Sequence, residues 1–180
     1  FPITEGPQTI LSSVTVEGND KVKASLPRLK LHPGAPLNPQ LLRDDLIALQ
    51  TFYGDRGFSE VQVSQRIEPN ADNTAAKLTY LVTEGPRVTI DSVVVRGNTY
   101  THTSVIDRKA KLSKGEPFSY TSILEAQRNL YSLGIFQRVD VQPQQAGTDV
   151  STRHVVIQVD DGKDLTASGS VGVASGTDPA

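Results

Sequence analysis

The chain repeats itself. Gly6, Pro7, Val14, Val16, Gly18 and Asn19 return as Gly85, Pro86, Val93, Val95, Gly97 and Asn98, each 79 positions later. Gly34-Ala35-Pro36-Leu37 returns as Gly115-Glu116-Pro117-Phe118 at a spacing of 81. Tyr53, Phe58, Val61 and Val63 match Tyr131, Phe136, Val139 and Val141 at 78, and Leu78, Tyr80, Val82 and Gly85 match Val155, Ile157, Val159 and Gly162 at 77. A fixed period with small drifts that fall in connections means one supersecondary unit used twice, and no fold that ignores it can be right. The phrase Ile3-Thr4-Glu5-Gly6-Pro7 is a near copy of Val82-Thr83-Glu84-Gly85-Pro86. It is expected to close a preceding unit, which makes residues 1–6 a tail, 7–85 a first unit and 86–164 a second.

Each unit reads as the same order of elements. Leu11 to Glu17 and Ile90 to Arg96 are rich in β-branched residues and run into Gly-Asn, a strand ended by a turn. A short helix is expected next, near Val22 to Lys30 and near Ser104 to Lys111, with Pro27 as the residue of the first copy that a helix interior tolerates worst. A longer helix follows. Asn38 before Pro39 reads as an N-cap with proline in the first turn, and Ser119 takes the cap position in the second copy. Leu42, Leu46, Leu49 and Tyr53 then recur at helical spacing, as do Ile123, Ala126, Leu130 and Leu133, before Gly57 and Gly134. Two alternating runs end each unit, with Val61, Val63 and Ile67 on one face of the first and Leu78, Tyr80 and Val82 on one face of the second.

The order is therefore β-α-α-β-β, twice, an α+β fold. The last two strands form a hairpin, while the first crosses over through the helices. This favours a three-stranded mixed sheet with helices on one face and the last strand in the middle. The outer strands then each keep one unpaired edge.

Composition narrows the function. Lys+Arg 18 against Asp+Glu 20 gives a net charge of −2, with no general pull towards nucleic acid. With Cys 0 there is no disulfide, thiolate metal site or cysteine nucleophile. Met 0 agrees with a stretch taken from a longer chain. His32, His102 and His154 stand far apart without metal-ligand spacing, and no Gly-x-Ser-x-Gly elbow exists. Neither a cofactor nor an enzymatic activity is expected. Gly169 to Gly176 lacks the Lys-Ser/Thr that a phosphate loop needs after its last glycine. The pairs Asp44-Asp45 and Asp160-Asp161 are expected to be solvated surface carboxylates, because neighbours diverge on a helix and alternate on a strand. Arg108, Lys109, Lys111 and Lys114 form the densest basic cluster. They lack the GxxG clamp of a KH-like RNA module and read as a solvated helix face.

A β-α-α-β-β unit of this size, with Val95-Arg96-Gly97-Asn98 after its first strand and Tyr131-x-x-Gly134-x-Phe136-x-x-Val139 before its second, resembles a POTRA domain. The first copy keeps Val16-Glu17-Gly18-Asn19 and stretches the later motif to Tyr53 and Phe58. The resemblance covers nearly the whole chain. Residues 165–180 alternate Leu165, Ala167, Gly169, Val171 and Val173 with small, largely polar residues, the pattern of a first transmembrane β-barrel strand. The chain thus resembles the last two POTRA domains of a BamA-type outer-membrane assembly factor. That resemblance implies a module on the periplasmic side of the bacterial outer membrane, attached to a barrel, that receives unfolded outer-membrane proteins. Alternatives are a polypeptide-translocating relative, a structural adaptor that binds accessory assembly lipoproteins, and a version linked to an enzyme outside this stretch.

Topology then nominates the site. An incoming extended segment can pair with the open edge of each unit's middle-in-sequence strand by β-augmentation, whatever its side chains. The residues are Val61, Gln62, Val63, Ser64 and Gln65 in the first unit, and Val139, Asp140, Val141 and Gln142 in the second. Pro143 lacks an N–H and is expected to cut the second edge short, whereas Phe58 to Glu68 holds no proline, so the first edge is expected to be the longer.

Overall fold

A computed structural model of the chain describes residues 8–22, 24–145 and 151–161. The proposed tail before residue 7 and the proposed barrel strand from 165 onward lie outside the described residues. Within them, strands β1 (Ile10–Glu17), β2 (Gln62–Pro69) and β3 (Ala75–Thr83), with helix α1 (Pro39–Gly54), form the first unit. Strands β4 (Thr89–Arg96), β5 (Phe136–Gln145) and β6 (Thr152–Asp161), with helices α2 (Thr103–Ala110) and α3 (Tyr120–Tyr131), form the second. The sheets run β1-β3-β2 and β4-β6-β5, so the last strand of each unit is central, parallel to the first and antiparallel to the other.

The capping residues act as their chemistry demands. Asn38 Oδ1 accepts from the N–H of Gln40 at 2.8 Å and of Leu41 at 3.3 Å, and Ser119 Oγ accepts from the N–H of Ser122 at 3.2 Å. The core lies on the helix side of each sheet. Leu78 and Tyr80 of β3 are buried beneath Leu42 and Leu49 of α1, and Val155, Ile157 and Val159 of β6 beneath Ile123, Ala126 and Leu130 of α3. Each central strand alternates buried with more exposed positions, as a sheet covered on one face must.

Two expectations need correction. Among the described residues no helix forms between Val22 and Lys30, and the first unit shows one helix where the second shows two. The end of this segment is instead held by Asp45, buried in α1, whose Oδ1 accepts from the Lys30 N–H at 2.7 Å and whose Oδ2 accepts from the Leu31 N–H at 2.9 Å and the Tyr80 hydroxyl at 2.9 Å. Pro27 denies the preceding residues a helical ladder, and the segment instead lays Val22 and Leu26 against the core without a helix. The second correction is register. Tyr53 is not the counterpart of Tyr131: Tyr53 and Leu130 are both fully buried while Tyr131 is half exposed, and the helix C-caps, Asp55 and Ser132, make the same backbone bonds at a spacing of 77. The extra residue of the second copy falls between Gly134 and Phe136.

Candidate functional site

The direction of every backbone group on β2 follows from its hairpin. The Asn70 N–H donates to the Ala75 carbonyl at 2.8 Å, and β2 pairs with β3 without a register shift from Gln62↔Thr83 to Pro69↔Ala76. In an antiparallel pair, alternate residues turn both backbone groups to the partner strand. Gln62, Ser64, Arg66 and Glu68 therefore face β3, while Val63, Gln65 and Ile67 present N–H and C=O outward. Pro69, which has no N–H, occupies the next outward position and breaks no ladder bond. The Ala76 carbonyl, turned to the other side of β3, accepts from Ser12 Oγ at 3.0 Å, which agrees with this phase.

Of the five residues nominated in the first unit, the structure places Gln62 to Gln65 on β2 and Val61 just before it. Val61 is not an open donor, since its N–H already donates to the Phe58 carbonyl at 3.1 Å. Ile67, which had not been nominated, extends the outward row. Side chains divide as the alternation requires: Val63 packs against the core, and Gln62, Ser64 and Arg66 are exposed.

On β5 the same parity puts Val139 and Val141 outward and Asp140 and Gln142 towards β6. Pro143 does not end this strand. It pairs with Val155, and β5 runs on to Gln145, because a proline facing away from the ladder removes no bond from it. The second strand is thus the longer one, yet Pro143 interrupts its row of outward donors. This edge is also occupied from within. Gln127 of α3 donates Nε2–H to the Val139 carbonyl at 3.2 Å, while Val139 and Val141 lie buried. Gln50 of α1, the counterpart at a spacing of 77, is exposed instead and lines a cavity of about 310 Å³ at the head of β2. Phe58 and Val61 form part of its wall from the first unit, and Ser119, Tyr120 and Thr121 from the second.

The units meet around this cavity. The Val88 N–H donates to the Gly57 carbonyl at 2.7 Å, Arg87 Nε–H to the Arg56 carbonyl at 3.2 Å, and Ser119 Oγ–H to Asp55 Oδ1 at 3.1 Å.

Two acidic residues missed by sequence reasoning hold the loops after the first strands. Glu84 at the end of β3 accepts from the Lys21 N–H at 2.9 Å and the Val22 N–H at 3.3 Å. Asp161, its repeat counterpart, accepts from the N–H of Tyr100 at 2.6 Å and of Thr101 at 3.0 Å. Asp45, Glu84 and Asp161 are all buried, so the expected solvated role fails for Asp45 and Asp161. An acidic residue closing the last strand in both copies was the available signal. Burial opposes the charge of Asp161, but the N–H groups of Tyr100 and Thr101 and the Thr101 hydroxyl outweigh it and hold the carboxyl below its ordinary value. Among the described residues, no three His, Asp or Glu side chains gather in a way that could hold a metal ion.

Comparison with known proteins agrees with this architecture. The family described as POTRA, surface antigen variable number repeat, matches residues 9–85 and 88–162. The outer membrane protein assembly factor BamA of Neorickettsia risticii is 26% identical over 145 residues, which cover 79% of this chain and 20% of that protein. The chain spans about a fifth of the length of such relatives. The crystal structure of BamA from Haemophilus ducreyi lacking POTRA domains 1–3 shares the fold at a TM-score of 0.69 and 16% identity, over 86% of this chain and 29% of that one. The POTRA3–5 structure of Haemophilus influenzae BamA does so at 0.59 and 20%, over 87% and 63%.

Proposed function

Because the chain belongs to the POTRA family, we propose that it serves as the periplasmic module of an outer-membrane protein assembly factor and takes up unfolded outer-membrane proteins by pairing an extended segment with β2. The observation that carries this reading is the inequality of the two edges. The outward groups of Val63, Gln65 and Ile67 form an uninterrupted row with no recorded partner among the described residues, whereas the β5 row is blocked by Gln127 at one place and lacks a donor at Pro143. Backbone pairing is indifferent to side-chain identity, which suits a receiver of many different barrel strands. It needs no catalytic group and no cofactor.

Val139, Asp140, Val141 and Gln142 are a secondary docking position in this scheme. The cavity at the head of β2 leaves room beside the docked segment.

The test uses the parity of β2. Gln65→Pro removes one outward N–H at an exposed position and leaves the β3 ladder intact, whereas Ser64→Pro removes a ladder bond and should destabilise the first unit by about 1–3 kcal/mol, read as a lower denaturant midpoint. With a photo-crosslinker at Gln62 or Ser64, the parent is expected to capture an unfolded barrel protein and the Gln65→Pro chain to lose most of that capture. If the folded Gln65→Pro chain captures and assembles substrate as the parent does, strand addition at this edge is wrong. The adaptor reading, with accessory assembly lipoproteins as partners, then takes its place.

A further inference from the structure

Among the described residues, three cations without a carboxylate partner share one pocket where the units meet. Lys21, Arg56 and Arg87 line it together with Val22, Ala24 and Phe58, and its volume is about 210 Å³. Other basic side chains find acids: Lys30 pairs with Asp44 at 2.8 Å, Lys114 with Asp91 at 3.2 Å and Arg153 with Glu60 at 3.6 Å. Here the neighbouring acids are committed to other donors. Glu84 is buried and accepts from the backbone N–H groups of Lys21 and Val22, Asp55 accepts from the Ser119 hydroxyl, and Glu60 faces Arg153. Asp20, exposed and next to Lys21 in the chain, makes no ion pair with any of the three among the described residues. We infer that this pocket is a binding site for a phosphate group, held between the two units by Lys21, Arg56 and Arg87.

Neutral acceptors hold the three cations in place, which leaves their charge uncompensated. Lys21 Nζ–H donates to the Gly85 carbonyl at 2.6 Å, Arg56 Nη1–H to the Phe52 carbonyl at 2.8 Å and Arg87 Nε–H to the Arg56 carbonyl at 3.2 Å. The Arg56 guanidinium also lies over the Phe52 ring, 3.6 Å from its centroid, and this contact fixes its plane. An ammonium carries three N–H donors and a guanidinium five, so all three side chains keep donors for a ligand. Like charges brought together repel, and an anion between them removes that cost. Two guanidinium forks and an ammonium offer more donors than the two oxygens of a carboxylate can use. A phosphate brings more charge and a tetrahedron of oxygens that can be met from three sides. Val22, Ala24 and Phe58 give the pocket an apolar wall, which screens these attractions less than water does. Arg56 follows α1 of the first unit and Arg87 precedes β4 of the second, so a bound phosphate ties the units together through charge. It uses none of the outward groups of β2 and is independent of what docks there.

Inorganic phosphate added to the 180-residue chain at constant ionic strength tests the site by NMR. The amides of Lys21, Ala24, Arg56 and Arg87 and the arginine Nε–H signals are expected to shift together and to saturate, with a dissociation constant of about 1–10 mM. Acetate at the same ionic strength is the carboxylate control and is expected to bind about tenfold more weakly or less. Arg56→Gln combined with Arg87→Gln should keep native amide dispersion and weaken phosphate binding by about tenfold or more. Vesicles of phosphatidylcholine containing phosphatidic acid present the same group on a lipid. Co-flotation that the double variant loses places the phosphate on a headgroup, and absence of co-flotation beside binding of inorganic phosphate assigns the site to soluble phosphates. Shifts that follow ionic strength alone, an equal response to acetate, or unchanged affinity in the folded double variant overturn the inference.

Discussion

Tyr53 and Tyr80 are both fully buried, and their hydroxyls have opposite fates. That of Tyr80 donates to Asp45 at 2.9 Å, completing a carboxylate that also holds the Lys30 and Leu31 amides, whereas that of Tyr53 finds no partner among the described residues. A hydrogen bond to a buried charged group is worth about 2 kcal/mol, while a buried hydroxyl with no partner carries a desolvation penalty of about 1–3 kcal/mol. Tyr80→Phe is therefore expected to lower unfolding stability by about 2 kcal/mol, and Tyr53→Phe to leave it unchanged or raise it by up to about 1 kcal/mol. Urea midpoints of the two variants check this. Equal losses would mean that the Tyr53 hydroxyl is satisfied after all.

At the level of elements, the loop between β4 and α2 is pinned by one side chain, Asp161. Its carboxyl is held below the ordinary value of 3.8 in the folded chain. A depressed folded pKa contributes stability that is fully present above the unfolded value and is lost as pH falls through the folded one. Acidification from about pH 5 downward should thus weaken the second unit, and Asp161→Asn should be less stable at neutral pH but show a flatter acid limb. Unfolding midpoints measured across that range decide it; parallel acid limbs would exclude a role for this carboxylate. The same residue marks where sequence reading stops. Strand order, the Asn38 and Ser119 caps and the alternating core faces were legible because each rests on neighbours within a few positions. The work of Asp45 and Asp161 was not, because Asp45 meets Tyr80 and Asp161 meets Tyr100 only after the chain has folded back on itself. On β2 the edge itself was legible from topology. Which of its residues face outward required the Asn70 to Ala75 bond that sets the phase.

In the whole molecule, two sheets and two sets of core residues meet at a junction made of few bonds. The core of the second unit, from Val88 and Ile90 through Phe118, Leu130 and Ile157, contains no residue of the first. Among the described residues, bonds that cross the junction include Val88 to Gly57, Arg87 to Arg56, Ser119 to Asp55, and an ion pair of Arg153 with Glu60 at 3.6 Å. Residues 86–164 alone should consequently fold. The Ser119 cap on α3 stays, because the Ser122 N–H that it accepts belongs to the same unit, and the Val88 N–H passes from Gly57 to water, where a solvated donor loses little. The isolated unit is expected to show native amide dispersion and a stability within about 1–2 kcal/mol of its value in the tandem chain, since exposed ion pairs add little and the lost hydrogen bonds are replaced by water. Chemical shifts should change only around Val88, Ser119 and Arg153. Collapsed dispersion in that fragment would show that the junction supplies folding energy, and the two repeats would then be one cooperative body, with the edge of β2 coupled to the second unit.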